Sequence, residues 1–260
     1  VPTTVQSVRV TVPLAATVRS TSGFRKEDER TYVWDETTSS PRLVYDFSVN
    51  KTFGGGRSPG DRSAASVSTD SASAAGGDAG LVASHVQAAD RGYSYVDVGS
   101  WAITPVPSMG VSWRYVSGRN VQLRKSAAVE GQGATGGEMA YLGPMTEHAR
   151  TAHNQQFRLI VPASAELRES PSAVLDSLAS ASGRLAIGER DPEVFFVAAP
   201  TSVEWGPIGL ESGGSDAWVR ADARLNSVTN AWLHEYVHTR QGYQPTDATR
   251  WTVEGAADYY

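Results

Sequence analysis

The segment His234-Glu235-Tyr236-Val237-His238 constrains this chain more than any other. On an α-helix, residues four apart lie one above the other on a single face. Two imidazoles so placed aim one nitrogen each at a common point, where Zn²⁺ binds at about 2.0–2.1 Å. Glu235 follows His234 directly, close to that point but off the ligand line, where it takes a proton from zinc-bound water instead of binding the metal. The chain has five His, and at its His and Glu frequencies the pattern arises by chance on the order of 0.005 times. A surface helix with a His/Glu pair at this spacing is the plain alternative.

A catalytic zinc needs a third protein ligand and an open fourth position. After His238 comes Trp251-Thr-Val-Glu254-Gly-Ala-Ala-Asp258-Tyr-Tyr260, an apolar-rich segment that reads as a second helix. Gly242 and Pro245 break helix between the two and let the chain reverse. Antiparallel helices would then offer His234, His238 and Glu254 to one ion. Asp258, one turn beyond Glu254, is placed to accept the free ring N–H of a ligand histidine, His234 by preference, which fixes tautomer and orientation.

HEYVHTR followed by WTVEGAADYY resembles the Glu-zinc metallopeptidases, and within them the glycyl aminopeptidase family, whose ligand helix reads like W-x-x-E-G-x-x-D-Y-Y. The aminopeptidase N-like clan shares W-x-x-E-G. Gly206-Pro-Ile-Gly209-Leu210-Glu211-Ser212 is similar to the family's G-L-E-H segment and, more loosely, to the clan's G-x-M-E-N. Ser212 departs from that pattern, and there is no Asn. The resemblance spans roughly Pro200 to Tyr260. It implies a Zn²⁺ cofactor on His234, His238 and Glu254, Glu235 as general base, and a peptide substrate whose free α-amino group meets Glu211 beside Gly209. It also implies a helical lobe beyond the ligand helix that carries an oxyanion-stabilising Tyr. Tyr259 and Tyr260 read instead as helix-packing residues, and the expectation is that these 260 residues are the N-terminal part of a longer protein.

The rest of the chain is read around this centre. A formal net charge of −5 lacks the basic face a nucleic-acid partner requires. The absence of cysteine excludes disulfides and thiolate metal sites. No apolar run approaches the roughly 18 residues of a membrane span. The start at Val1 shows no charged n-region or apolar h-region, and no compartment follows from the sequence. Val8, Val10 and Val12 alternate with polar residues, as do Leu43, Tyr45, Phe47 and Val49. Tyr93 to Val98, Val111-Trp113-Tyr115, and Val121 with Leu123 repeat that pattern. Short alternating runs separated by Gly, Pro and Ser predict a sandwich-like antiparallel β-domain over about 1–155. Residues 54–80 are Gly, Ser, Ala, Asp and Arg with almost no apolar bulk and read as a mobile insertion. Asn50-Lys51-Thr52 is a glycosylation sequon that reads more simply as a turn.

From 156 the pattern changes. Phe157 to Val161 reads as a strand, and Ser170-Pro171 as a helix cap opening a helix to Gly183. Glu193 to Val197 and Ala217 to Arg220 read as strands, and the His234 helix as starting near Asn226. With the resemblance, this order implies the upper lobe of a thermolysin-like zincin domain over 156–260, within an α+β chain. Its edge strand would bind an extended peptide, and Glu211 would hang from a turn at the cleft edge. The reading is a zinc-dependent peptide hydrolase, an aminopeptidase. The alternatives are a catalytically incomplete zinc-bound β-sandwich binding module and a non-peptide hydrolase on the same scaffold.

Overall fold

The computed structural model describes residues 5–13, 16–47, 96–97, 100–113, 125–203, 205, 208–243, 246–249 and 251–259. The sequon at 50–52, the segment 54–80, the expected strand at 121–123, Pro245 and Tyr260 lie outside them. The chain is mixed α+β and strand-rich. In order, its strands are β1 (Val5–Thr11), β2 (Ala16–Ser22), β3 (Phe24–Lys26), β4 (Thr31–Trp34), β5 (Arg42–Phe47), β6 (Val96–Asp97), β7 (Ala102–Pro105) and β8 (Ser108–Trp113). There follow β9 (Gly133–Thr135), β10 (Met139–Leu142), β11 (Met145–Ala152), β12 (Gln155–Pro162), β13 (Glu193–Ala199), β14 (Gly209–Gly213) and β15 (Asp216–Arg220). The α-helices among the described residues are α1 (Pro171–Arg184), α2 (Ala231–Thr239) and α3 (Trp251–Tyr259). No helix among the described residues is long and apolar enough to cross a membrane.

Two compact units divide the chain. The first holds β1–β5 and β8. Its four-stranded sheet runs β3-β4-β1-β8, and β2 pairs with β5 as a two-stranded ribbon. Of the alternating valines, Val8 and Val12 lie in a small core with Val5, Phe24 and Tyr32, against which Val10 and, from the ribbon, Val18 and Leu43 pack.

The second unit takes β6, β7 and everything from residue 126 on. The unit boundary therefore does not fall at 155. Ala152 and Gln155 face each other across a two-residue hairpin, with His153 and Asn154 both at positive φ, the conformation of a tight type I′ turn. β11 and β12 thus form one hairpin in one sheet, and a division at 155 would cut it.

That sheet runs β11-β12-β13-β15-β14. β12, β13 and β15 are parallel, while β11 and β14 close the two edges antiparallel. Buried on both faces, β13 has no need to alternate, and Val194 through Ala199 are all fully buried. One face, through Phe157, Phe196 and Val219, packs on α1 and α2. The other, through Phe195, Val197 and Trp218, meets Trp101, just before β7, and Met139 and Tyr141 of the smaller β6-β7-β10-β9 sheet. Ser170 caps α1 by accepting from the Ala173 N–H, with Pro171 in the first turn. α2 begins later than its sequence suggests: Asn230, not Asn226, is its cap, accepting from the Leu233 N–H while its amide holds the Leu225 carbonyl.

Candidate metal centre

α2 is two-faced. Trp232, Tyr236 and Val237 enter the core, and the offset of two residues turns His234 and His238 to the opposite side. The chain then leaves the helix at Arg240, passes Gly242, and returns through a short turn at Asp247–Thr249 into α3. α3 brings Glu254 against the two rings. The His234 and His238 Nε2 atoms lie 3.0 Å apart, and Glu254 Oε2 is 3.3 Å from the first and 3.5 Å from the second.

These separations suit one ion. For a tetrahedral centre with bonds of about 2.0–2.1 Å, neighbouring ligand atoms sit roughly 3.3 Å apart. His234, His238 and Glu254 are the group among the described residues that can hold a metal. The outward ring nitrogens support the same geometry. His234 Nδ1 lies 3.1 Å from Asp258 Oδ1, and a carboxylate only accepts, so that nitrogen carries the proton. His238 Nδ1 meets Gln241 Oε1 at 3.0 Å, and the Gln241 amide donates to the Val253 carbonyl at 2.8 Å. Both rings are held as Nδ1–H tautomers, with their Nε2 lone pairs directed at the shared point.

The charges at this point act together. Hydrogen bonding to Glu254 raises the His234 pKa above its ordinary value, against the opposing effect of burial. Burial opposes charge on His238 as well, but bonds to Glu254 and Gln241 and the charge of Glu235 outweigh it, and its pKa is also raised. Those bonds to Glu254 run through the ring Nε2 atoms, so a cation bound at the shared point takes the place of the Nε2 protons.

Glu235 sits apart from the ligand set, 6% exposed beneath β14. The Glu211 N–H donates to its carboxylate, yet burial dominates and pushes the carboxyl up to about 7. A carboxyl poised there can take and return a proton near neutral pH. β14 lies almost flush on this side chain. A Cβ on Gly209 would come within 2.7 Å of Glu235 Cγ and Oε1, so only glycine lets the strand approach.

Glu211 belongs to β14 rather than to a turn, paired with Ala217 of β15 beside a bulge at Ser212. An edge position explains why the glycines flanking it do not forbid a strand. Its charge is close enough to be felt by Glu235. The Ser212 hydroxyl points to the Met139 sulfur at 3.8 Å. His148 lies half-buried on β11 and His153 exposed in the hairpin, both outside the cluster.

One residue of the site goes unread in the sequence: Gln241, although it carries a signal, three residues after His238 and within reach of its ring. Outside the cluster, Asp216 at the start of β15 carries no signal at all: its buried carboxyl accepts from the N–H groups of Gly137, Glu138 and Met139, almost eighty residues away. Compared with models of known protein families and with curated proteins, the chain matches none.

Proposed function

We propose that this chain carries the metal site and substrate edge of a zinc-dependent peptide hydrolase that acts as an aminopeptidase. The observation that carries the reading is the convergence of His234 Nε2, His238 Nε2 and Glu254 Oε2 within 3.5 Å of one another, with Glu235 buried beside them. The sheet order, with an antiparallel edge strand over the histidine helix, supports the upper lobe of a thermolysin-like zincin domain. The ribbon packed on the first unit's sheet supports a sandwich-like N-terminal domain.

A bound zinc ion supplies Lewis-acid polarisation of the scissile carbonyl and lowers the pKa of water. Glu235 accepts the proton of the attacking water and returns it to the leaving amine nitrogen, its carboxylate set beside the cluster by the Glu211 N–H. β14 ends the sheet, and an extended peptide adds to such an edge by backbone hydrogen bonds. Glu211, on that strand, is the anionic anchor for the peptide's free α-amino group. A charge-assisted bond of this kind is worth about 1.5–3 kcal/mol, or roughly 10–150-fold in preference for free over blocked N-termini.

The test is a panel of fluorogenic aminoacyl and N-acetyl-aminoacyl substrates on the zinc-loaded protein and on Glu235→Gln and Glu211→Gln. Glu235→Gln should retain zinc and lose about 10²–10⁴-fold in kcat. Glu211→Gln should lose the preference for free amines. Equal cleavage of free and acetylated substrates by the wild type would exclude aminopeptidase action.

A further inference from the structure

The face of α2 turned away from the metal ligands is polar at its centre, although it is buried. Tyr236 and the C-cap residue Arg240 lie there, one turn apart and about 200° and 240° around the helix from His234. Tyr236, Gln155 and Ser182 are fully buried, and Arg240 is 3% exposed. The Tyr236 hydroxyl donates to Gln155 Oε1 at 2.7 Å, which also accepts from the Ser182 hydroxyl at 3.1 Å. Gln155 in turn donates to the Asp191 carbonyl at 2.8 Å. Arg240 donates to the Tyr236 oxygen at 3.2 Å and to the backbone carbonyls of Ile187, Gly188 and Glu189. Gly188 has φ +55°, and a Cβ there would run into the Arg240 carbonyl, so the loop closes on the helix end only as glycine.

We infer that this network, centred on Tyr236, Gln155 and Arg240, is a positioning device that sets the rotation of α2 and with it the convergence of the metal ligands. The inference rests on the reading that His234, His238 and Glu254 hold a metal. An imidazole Nε2 lies about 7 Å from its helix axis, so a rotation of only about 5° displaces it by roughly 0.6 Å. Metal–ligand distances tolerate about 0.2 Å. Any rotation of the helix must therefore be taken up by the imidazole torsions, and apolar contacts hold the helix angle only loosely, because hydrophobic burial is non-directional. The edge contact of Tyr236 with Phe157, 5.6 Å between centroids, fills space but permits sliding. Hydrogen bonds constrain direction. From the α2 face these run directly to Gln155 at the start of β12 and to the carbonyls of residues 187–189, and through Gln155 to Ser182 near the end of α1 and to Asp191. The identity of the residues therefore matters beyond their volume: phenylalanine fills the place of Tyr236 but cannot hold the angle.

The experiment titrates metal-free wild type, Tyr236→Phe, Arg240→Lys and Leu178→Ala with Co²⁺ and Zn²⁺ well below the melting temperature of each. Leu178 is fully buried in the same apolar core and takes no part in the network, so Leu178→Ala reports loss of stability alone. Tyr236→Phe and Arg240→Lys should each weaken metal binding by about 10-fold or more and alter the cobalt ligand-field spectrum. Leu178→Ala should melt lower yet bind with wild-type affinity and spectrum. Wild-type affinity and spectrum in both network variants, or losses that simply follow melting temperature across all three, would overturn the inference. A wild type that binds neither metal would overturn the metal-centre reading, and this inference with it.

Discussion

Replacing Gly209 by alanine probes the placement of Glu235 without touching a metal ligand. The added Cβ would stand 2.7 Å from Glu235 Cγ and Oε1 and 3.0 Å from Cδ. Carbon atoms in ordinary contact sit about 3.5–4.0 Å apart, so strand and side chain must separate by roughly 1 Å. β14 cannot simply recede, because it is paired with β15 through Gly209, Leu210 and Glu211. Glu235 therefore moves, and its bond from the Glu211 N–H is lost. A misplacement of about 1 Å at a reacting group can lower the rate about 10²-fold, and the overpacking should destabilise the fold by about 1–3 kcal/mol. The assay is kcat on an aminoacyl substrate, with zinc content measured on the same sample. Gly209→Ala should keep zinc and lose about 10²-fold in kcat. In a Glu235→Gln background the same change should cost almost nothing further, since the group it displaces is already disabled. A near wild-type kcat, or full additivity of the two losses, would refute the reasoning.

Asp258→Ala removes the acceptor that holds the His234 Nδ1–H and should weaken zinc by about 10–100-fold without abolishing the site, as read by competition with a chromophoric chelator. Asp216 should make stability fall as pH rises through the mildly acidic range. Burial pushes its carboxyl up to about 6, against three backbone N–H donors that favour the charged form. The folded protein thus holds this proton at pH values where the unfolded chain has released it. The stabilisation is complete below about pH 4 and is lost as pH rises to about 6, amounting to about 2–3 kcal/mol. Urea unfolding of wild type and Asp216→Asn across that window checks it. The gap between the two should change with pH in that direction, and a constant gap would contradict the assignment.

The site was legible where chemistry repeats at short range. His234 and His238 stand out as a candidate ligand pair by spacing alone, and the breaker Gly242 lets the chain return Glu254 to them on a second helix. The four-residue step from Glu254 to Asp258 puts the latter at His234. Legibility failed where long-range packing decides. Gly209 to Gly213 looks like a turn because glycine is a poor strand former, yet an edge strand pressed against Glu235 requires glycine for its closeness. The Asp216 clamp and the Gln155–Tyr236 bond join residues separated by about eighty positions, and no local pattern marks either. The division at 155 failed because alternation signals a strand but not its partner: β11 and β12 belong to one hairpin, joined by a His-Asn turn with no glycine to mark it.

The central claim is that His234, His238 and Glu254 form one metal site, and elemental analysis tests it most directly. The protein and its His238→Ala variant are each loaded with zinc, freed of loosely held metal by gel filtration, and measured for zinc per chain. The account predicts one zinc in the wild type and close to none in the variant. No zinc in the wild type, or full stoichiometry in His238→Ala, would contradict it.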